Sequence, residues 1–221
     1  MRKVILAFST LALTGLPLWA QADTVTIAAL GDSLTQGYGL PPEDGFVAQL
    51  DRWLAAEGAD VALINAGVSG DTTAGGLSRV GWTLTPEVDA MIVALGGNDL
   101  LRGLPPEDAR QNLAGVLEAA QQADVEVLLI GMQAPGNFGA DYKAAFDAIY
   151  PALAAQYDTL LLDSFFAGLS DSGMPADPAR RREFFQADGI HPNSEGVARI
   201  VDAVGPMVLE LVARAEENAG G

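Results

Sequence analysis

Five short apolar runs separated by longer helix-like stretches constrain what this chain can fold into more than any other feature. The runs fall at 24–30, 60–65, 90–95, 125–130 and 159–162, and each is rich in Val, Ile, Leu or Ala with little polar interruption. A strand buried on both faces reads in this way, whereas a strand with one wet face alternates. Helical stretches lie between them at 44–57, 73–80, 106–123 and 140–156, with a last one at 194–216. Pro105-Pro106 opens the third and Pro192 precedes the last, positions where a missing N–H breaks no helical bond. Strands that alternate with helices favour a parallel sheet covered on both faces. The expected fold is α/β: a three-layer α/β/α sandwich around a mainly parallel five-stranded sheet. No internal repeat, low-complexity tract or linker divides the run, so one domain is expected.

That domain is expected to begin after a leader. Arg2 and Lys3 precede an apolar run that ends at Trp19, and Ala20-Gln21-Ala22 forms a small-x-small cleavage pattern. The segment 1–22 reads as a signal peptide, too short and too interrupted by Pro17 for a membrane span. Cleavage near Ala22 predicts an exported chain, periplasmic or secreted, with the single domain over 23–221. Composition narrows the chemistry further. Lys plus Arg is 12 against 29 for Asp plus Glu, a formal net charge of −17, so nucleic acid is not an expected partner. Cysteine is absent and His191 is the only histidine. A disulfide, a structural zinc or an iron–sulfur site is thereby excluded, and any step that needs an imidazole must use His191.

In an open parallel sheet the chemistry collects where strands give way to helices at their carboxyl ends. Gly31-Asp32-Ser33-Leu34-Thr35 follows the first run, and Ala66-Gly67-Val68-Ser69-Gly70-Asp71-Thr72 follows the second. Gly96-Gly97-Asn98-Asp99 follows the third, and Asp188-Gly189-Ile190-His191-Pro192 stands before the last helix. All four small, polar turns therefore face one edge.

Each element has a bland reading and a chemical one. Ser33 or Asp32 could serve only as a helix cap. As a nucleophile, Ser33 would need a base for its proton and a third group to orient that base. Asp188 and His191 stand three residues apart, close enough for the carboxylate to select the imidazole tautomer; the same spacing also makes a plain Asx turn. Asn98 follows two glycines and could donate its side-chain amide to a developing oxyanion. Gly70 could add a backbone N–H, or could simply be a positive-φ turn residue.

These blocks together resemble the GDSL, or SGNH, hydrolases. Gly31-Asp32-Ser33-Leu34 is similar to the family's first block, the turn around Gly70 to its second, Gly96-Gly97-Asn98-Asp99 to its third and Asp188-Gly-Ile-His191-Pro192 to its last. They occur in order and span nearly all of the expected mature chain. The segments LGGNDLLRG, AIYPALA and DGIHPN bring the closer resemblance to the exported thioesterase, lysophospholipase and arylesterase branch. The resemblance implies a flavodoxin-like sandwich, Ser33 as nucleophile, His191 as base and acid, and Asp188 as orienting acid. It also implies an oxyanion hole from Ser33, Gly70 and Asn98. Met132–Gly139 would occupy the place of a substrate-facing loop, and Asp32, Leu34, Leu100, Pro135 and Phe138 are the expected substrate contacts. Leu100, Leu101 and Phe138 favour an apolar acyl chain over a sugar.

Other motif readings fail. The chain has no Gly-x-Ser-x-Gly elbow and no phosphate-cradling Gly-x-x-x-x-Gly-Lys-Ser/Thr loop. Pro41-Pro42 breaks the helix that a dinucleotide motif starting at Gly37 would need. The acidic stretch near Asp171, Asp177 and Asp188 lacks calcium-ligand spacing, and no metal site is expected. The expected activity is hydrolysis of a lysophospholipid, acyl ester, aryl ester or thioester through an acyl-enzyme, with no cofactor. Expected partners are the small acyl substrate alone, without stable membrane insertion, in a monomer. A carbohydrate O-deacetylase with the same catalytic groups, and a periplasmic ligand-binding domain without catalysis, are the rival readings.

Overall fold

The computed structural model describes residues 24–170, 175 and 177–220. The expected signal peptide and its cleavage point lie outside the described residues, as does Asp171. The first strand, β1 (Val25–Gly31), leads into a one-turn helix, α1 (Ser33–Gln36), then α2 (Phe46–Ala56). Next come β2 (Val61–Gly67), α3 (Thr73–Thr83), β3 (Ala90–Ala94), α4 (Gly97–Arg102) and α5 (Pro106–Gln122). The chain closes with β4 (Glu126–Ile130), α6 (Ala140–Asp147), α7 (Ile149–Tyr157), β5 (Leu160–Leu162), α8 (Pro178–Phe184) and α9 (Ser194–Ala219).

The five strands are all parallel, in the order β2-β1-β3-β4-β5. That is the flavodoxin-like order, and its switch point lies between β1 and β3, where ligands bind in open α/β sheets. α2 and α9 pack together on one face; α3, α5 and α7 pack along the other. The result is the three-layer α/β/α sandwich that the alternating pattern predicts.

Register decides what the carboxyl edge displays. Gly31 lies opposite Gly67 of β2 and Ala94 of β3, so the three strands end level. The turns bearing Ser33, Gly70 and Asn98 therefore leave the sheet side by side. Arg79 on α3 fastens that edge. Its guanidinium donates to Gly31 O at 2.8 Å and to Ala66 O at 2.6 Å, and it pairs with Asp71 at 2.6 Å.

The central strands are buried on both faces: Ile27, Ala28, Leu30, Met91, Ile92, Val93, Leu128 and Leu129 are all at or near zero exposure. Against them α9 sets Val197, Ile200, Val201, Val204, Val208 and Leu211, a stripe at helical spacing. Each such side chain contributes about 1.5–3 kcal/mol when it leaves water. Cutting Leu113 or Leu211 to alanine would cost about 2–5 kcal/mol. Among the described residues no helix is long and apolar enough to cross a membrane.

Three features depart from the sequence expectation. β2 is not buried on both faces, because it is an edge strand; Ile64 is 40% exposed despite its apolar neighbours. The helix expected over 140–156 is two helices that meet at Ala148. Pro151 explains the break: it has no N–H for the Asp147 carbonyl and its ring would crowd that oxygen, so the helix restarts with Pro151 in its first turn. Finally, the turns after β1 and β3 are themselves the first turns of α1 and α4. They are too short for a periodic signal.

Candidate active site

Ser33 is the first residue of α1, and the helix is organised around it. Asp32 caps it, with Oδ1 accepting from Leu34 N at 3.0 Å. Gly37 ends the turn in the left-handed region and donates its N–H to Ser33 O. A single helical turn thus lifts the Ser33 hydroxyl to the carboxyl edge of β1. There Ser33 Oγ lies 2.8 Å from His191 Nε2.

His191 stands on a loop fixed at both ends. Phe185 and Pro192 form an antiparallel bridge, and Gln186 N donates to His191 O at 2.8 Å. The Gln186 side chain donates to Tyr38 O at 2.8 Å and Pro192 O at 3.0 Å, lacing this loop to the segment after α1. The Tyr38 ring packs 4.6 Å from the imidazole. Asp188 Oδ1 accepts from Ile190 N at 2.9 Å and His191 N at 3.0 Å, while Oδ2 lies 2.7 Å from His191 Nδ1. The Asx turn and the carboxylate–imidazole contact are therefore one structure. A proton on Nδ1, directed to Asp188, leaves Nε2 free to accept the Ser33 hydroxyl proton. Burial raises the Asp188 pKa, but hydrogen bonds from the His191 ring and from the Ile190 and His191 backbone outweigh it and hold the carboxyl below its ordinary value.

Two other carboxylates near the edge have different partners. Asp99 is buried and accepts from Thr73 N at 2.9 Å and Thr73 Oγ1 at 2.7 Å, which anchors the start of α3. Asp71 is paired with Arg79. Asp188 alone of the three makes a side-chain hydrogen bond with the imidazole. Of the acidic stretch weighed for a cation, Asp177 caps α8 by accepting from Ala179 N at 2.8 Å.

Gly70 has φ +84, a conformation that L side chains rarely adopt. Its carbonyl accepts from Arg102 Nη2 at 2.8 Å, whereas no acceptor for its N–H, or for that of Ser33, is found among the described residues. Asn98 lies in the first turn of α4, reached through Gly96 at φ +116, where an added Cβ would strike the Tyr150 hydroxyl. That hydroxyl donates to Leu95 O at 2.9 Å and is itself fully buried. Asn98 Nδ2 donates to Asp71 O at 2.9 Å and to Asp32 Oδ2 at 3.2 Å.

The expected substrate contacts separate into two groups. Leu34 is half-buried, and Pro135 and Phe138 are exposed, with Phe138 packed on Tyr142 at 5.1 Å and close to Gly103. Leu101 is 61% exposed on the same rim. Asp32 and Leu100 are buried, at 2% and 8% exposure, and offer no side-chain surface to a substrate. Arg79, Gln186 and Tyr38 were invisible to motif reading, because each acts through a partner distant in sequence; Arg102 lies within LGGNDLLRG, but its reach to Gly70 O does not show there. A cleft of about 420 Å³ lies at the opposite, amino end of β4 and β5, lined by Glu126, Thr159, Arg214 and Asn218. Another, of about 310 Å³, runs beside α1 and β2; neither is lined by Ser33 or His191.

A hydroxyl, an imidazole and a carboxylate in one hydrogen-bonded line at the switch point of a parallel sheet mark an esterase-type hydrolase. The chain belongs to the GDSL-like lipase/acylhydrolase family, whose model matches residues 29–199. It is 41% identical over 197 residues to Esterase TesA of Pseudomonas aeruginosa, covering 88% of this chain and 93% of that one. It is 36% identical over 195 residues to Thioesterase 1/protease 1/lysophospholipase L1 of Escherichia coli, covering 87% and 86%. In structure it is similar to the psychrotrophic esterase EstA from Pseudoalteromonas sp., solved with inhibition by monoethylphosphonate. The TM-score there is 0.76 at 30% identity, over 85% of this chain and 98% of that one.

Proposed function

We propose that this chain is an exported serine esterase that cleaves carboxylic esters and thioesters through an acyl-enzyme on Ser33. The observation that carries the reading is the continuous line Ser33 Oγ, His191 Nε2, His191 Nδ1, Asp188 Oδ2, with successive contacts of 2.8 and 2.7 Å across the ring. Ser33 Oγ attacks the acyl carbonyl and passes its proton to His191 Nε2. The carbonyl π electrons move onto oxygen, held by the N–H groups of Ser33 and Gly70 and the Asn98 amide. The oxyanion then collapses, the bond to the leaving oxygen or sulfur breaks, and His191 returns the proton to the departing group. Water repeats the sequence on the acyl-enzyme, restoring the Ser33 hydroxyl and releasing the acid. No cofactor takes part in this scheme.

The relatives named thioesterase, lysophospholipase and esterase support acyl substrates, and the exposed Leu101 and Phe138 support an apolar acyl chain. Export rests on the basic, apolar and small-residue pattern of 1–22, with cleavage near Ala22 and a single mature domain acting as a monomer. A fluorophosphonate probe tests the reading: one adduct, mapped to Ser33 by mass spectrometry, is expected. Absence of labelling, or labelling at another serine, overturns it.

A further inference from the structure

The Asp32 carboxylate does more than cap α1. It is 2% exposed, and both oxygens are engaged: Oδ1 by Leu34 N at 3.0 Å, Oδ2 by Asn98 Nδ2 at 3.2 Å. Leu34 belongs to the turn that carries Ser33, and Asn98 to α4, 66 residues away in sequence. One buried group therefore bridges the nucleophile turn and the side-chain amide. The charged or titratable groups that face it are His191, Asp71 and the Tyr150 hydroxyl.

We propose that Asp32 is a positioning residue, whose carboxylate selects the orientation of the Asn98 amide and holds its nitrogen beside Ser33. The inference rests on the acyl-transfer reading of the site. Asn98 Nδ2 lies between two acceptors, Asp32 Oδ2 and Asp71 O. Rotating the amide by half a turn would set its oxygen against both, so the pair of acceptors admits one orientation. A substrate oxygen would share the amide hydrogen directed at Asp32, the longer of the two contacts, so that Asp32 still orients the amide as charge develops. Capping alone gives no reason for a charge here, because uncharged Ser or Asn caps a helix as well. Burial in fact pushes the Asp32 carboxyl up to about 6, against the lowering effect of the Leu34 N–H, His191 and the Asn98 amide. The charge is retained because two donors converge on two oxygens, and an amide in its place offers only one acceptor oxygen.

Asp32→Asn and Asp32→Ser both keep a cap for Leu34 and lose the second acceptor toward Asn98. Each is to be made in the parent and in Asn98→Ala, and assayed on the full chain with p-nitrophenyl butyrate at neutral pH. In the parent, kcat is expected to fall about tenfold or more with KM within about twofold; in Asn98→Ala the same changes should alter kcat by no more than about twofold. An equal fall in both backgrounds overturns the proposal, since Asp32 would then act on Ser33 or on the fold. Loss of folding in both variants overturns it as well. Fluorophosphonate labelling separates the two levels: an additive cycle with Ser33 labelled sinks only the positioning role, whereas an unlabelled parent sinks the site itself.

Discussion

The Ser33 hydroxyl and the His191 Nε2 stand 2.8 Å apart although 158 residues separate them in the chain. Ser33 is held by the end of β1, one of the two strands that flank the switch point, and His191 by the loop before α9. Neither position has meaning for the other until α9 packs back across the sheet.

The nucleophile is the first thing to test. Ser33→Ala removes a half-buried hydroxyl from a one-turn helix and should leave the thermal midpoint nearly unchanged, while acyl-enzyme formation is lost. Turnover that stays within about tenfold of the parent would rule Ser33 out. Ser69→Ala is the control. Ser69 Oγ donates to Gln36 Oε1 at 2.9 Å, so that variant should keep most of its activity.

Deletion of the side-chain amide should act on the rate rather than on binding. Asn98→Ala is expected to lower kcat by about 10²–10³ with a smaller change in KM. Steady-state kinetics on one soluble ester decide it, and an effect confined to KM would make Asn98 a ground-state binding residue.

Asp188→Asn should preserve the turn and lower kcat by about 10⁴, since an amide invites the wrong imidazole tautomer. The same variant has a stability signature. The Asp188 carboxyl lies below its ordinary value in the native state, so its contribution is present above the unfolded value and is lost as pH falls through the folded one. The difference in Tm between parent and variant should therefore shrink below about pH 4. A difference that widens in acid would contradict the assignment.

Asp32 predicts the opposite trend. Its native value of about 6 lies above the unfolded one near 3.8, so the native state holds a proton that the unfolded chain has lost between them. That stabilising contribution is full below the unfolded value and disappears as pH rises through about 6. Asp32→Asn should accordingly be most destabilising below about pH 4, progressively less so through mild acid, and least so at neutral pH. Tm measured against pH for the two proteins reads the sign directly.

Arg79 supplies a test of the edge itself. Its three contacts reach Gly31 O, Ala66 O and Asp71, with side-chain exposures of only 22% and 18% for the ion pair. Arg79→Met leaves Asp71 and two strand-end carbonyls without their donor and should cost about 3 kcal/mol of stability, with kcat falling alongside. A neutral effect on chemical denaturation would show that the level strand ends do not depend on it.

The strands and long helices were legible because their signal is local. A run such as 90–95 or 125–130 is apolar throughout only if both faces are covered, and 106–123 carries its own proline start. Residues 60–65 misled for the same reason in reverse: being on the edge is a property of strand order, which no single run encodes. The sequence by itself also determined the candidate chemistry, since one histidine in the whole chain leaves one imidazole to place. Tertiary structure decided which groups that imidazole meets. Asp188 reaches it within a three-residue turn, a contact local enough to foresee, whereas Ser33 meets it only once the loop before α9 is laced to the segment after α1. It also decided that Asp32 and Leu100 lie inside, and that Asp32 spans from Leu34 to Asn98. A side chain's direction depends on what lies above and below it in three layers, and those neighbours come from strands and helices far apart in the chain.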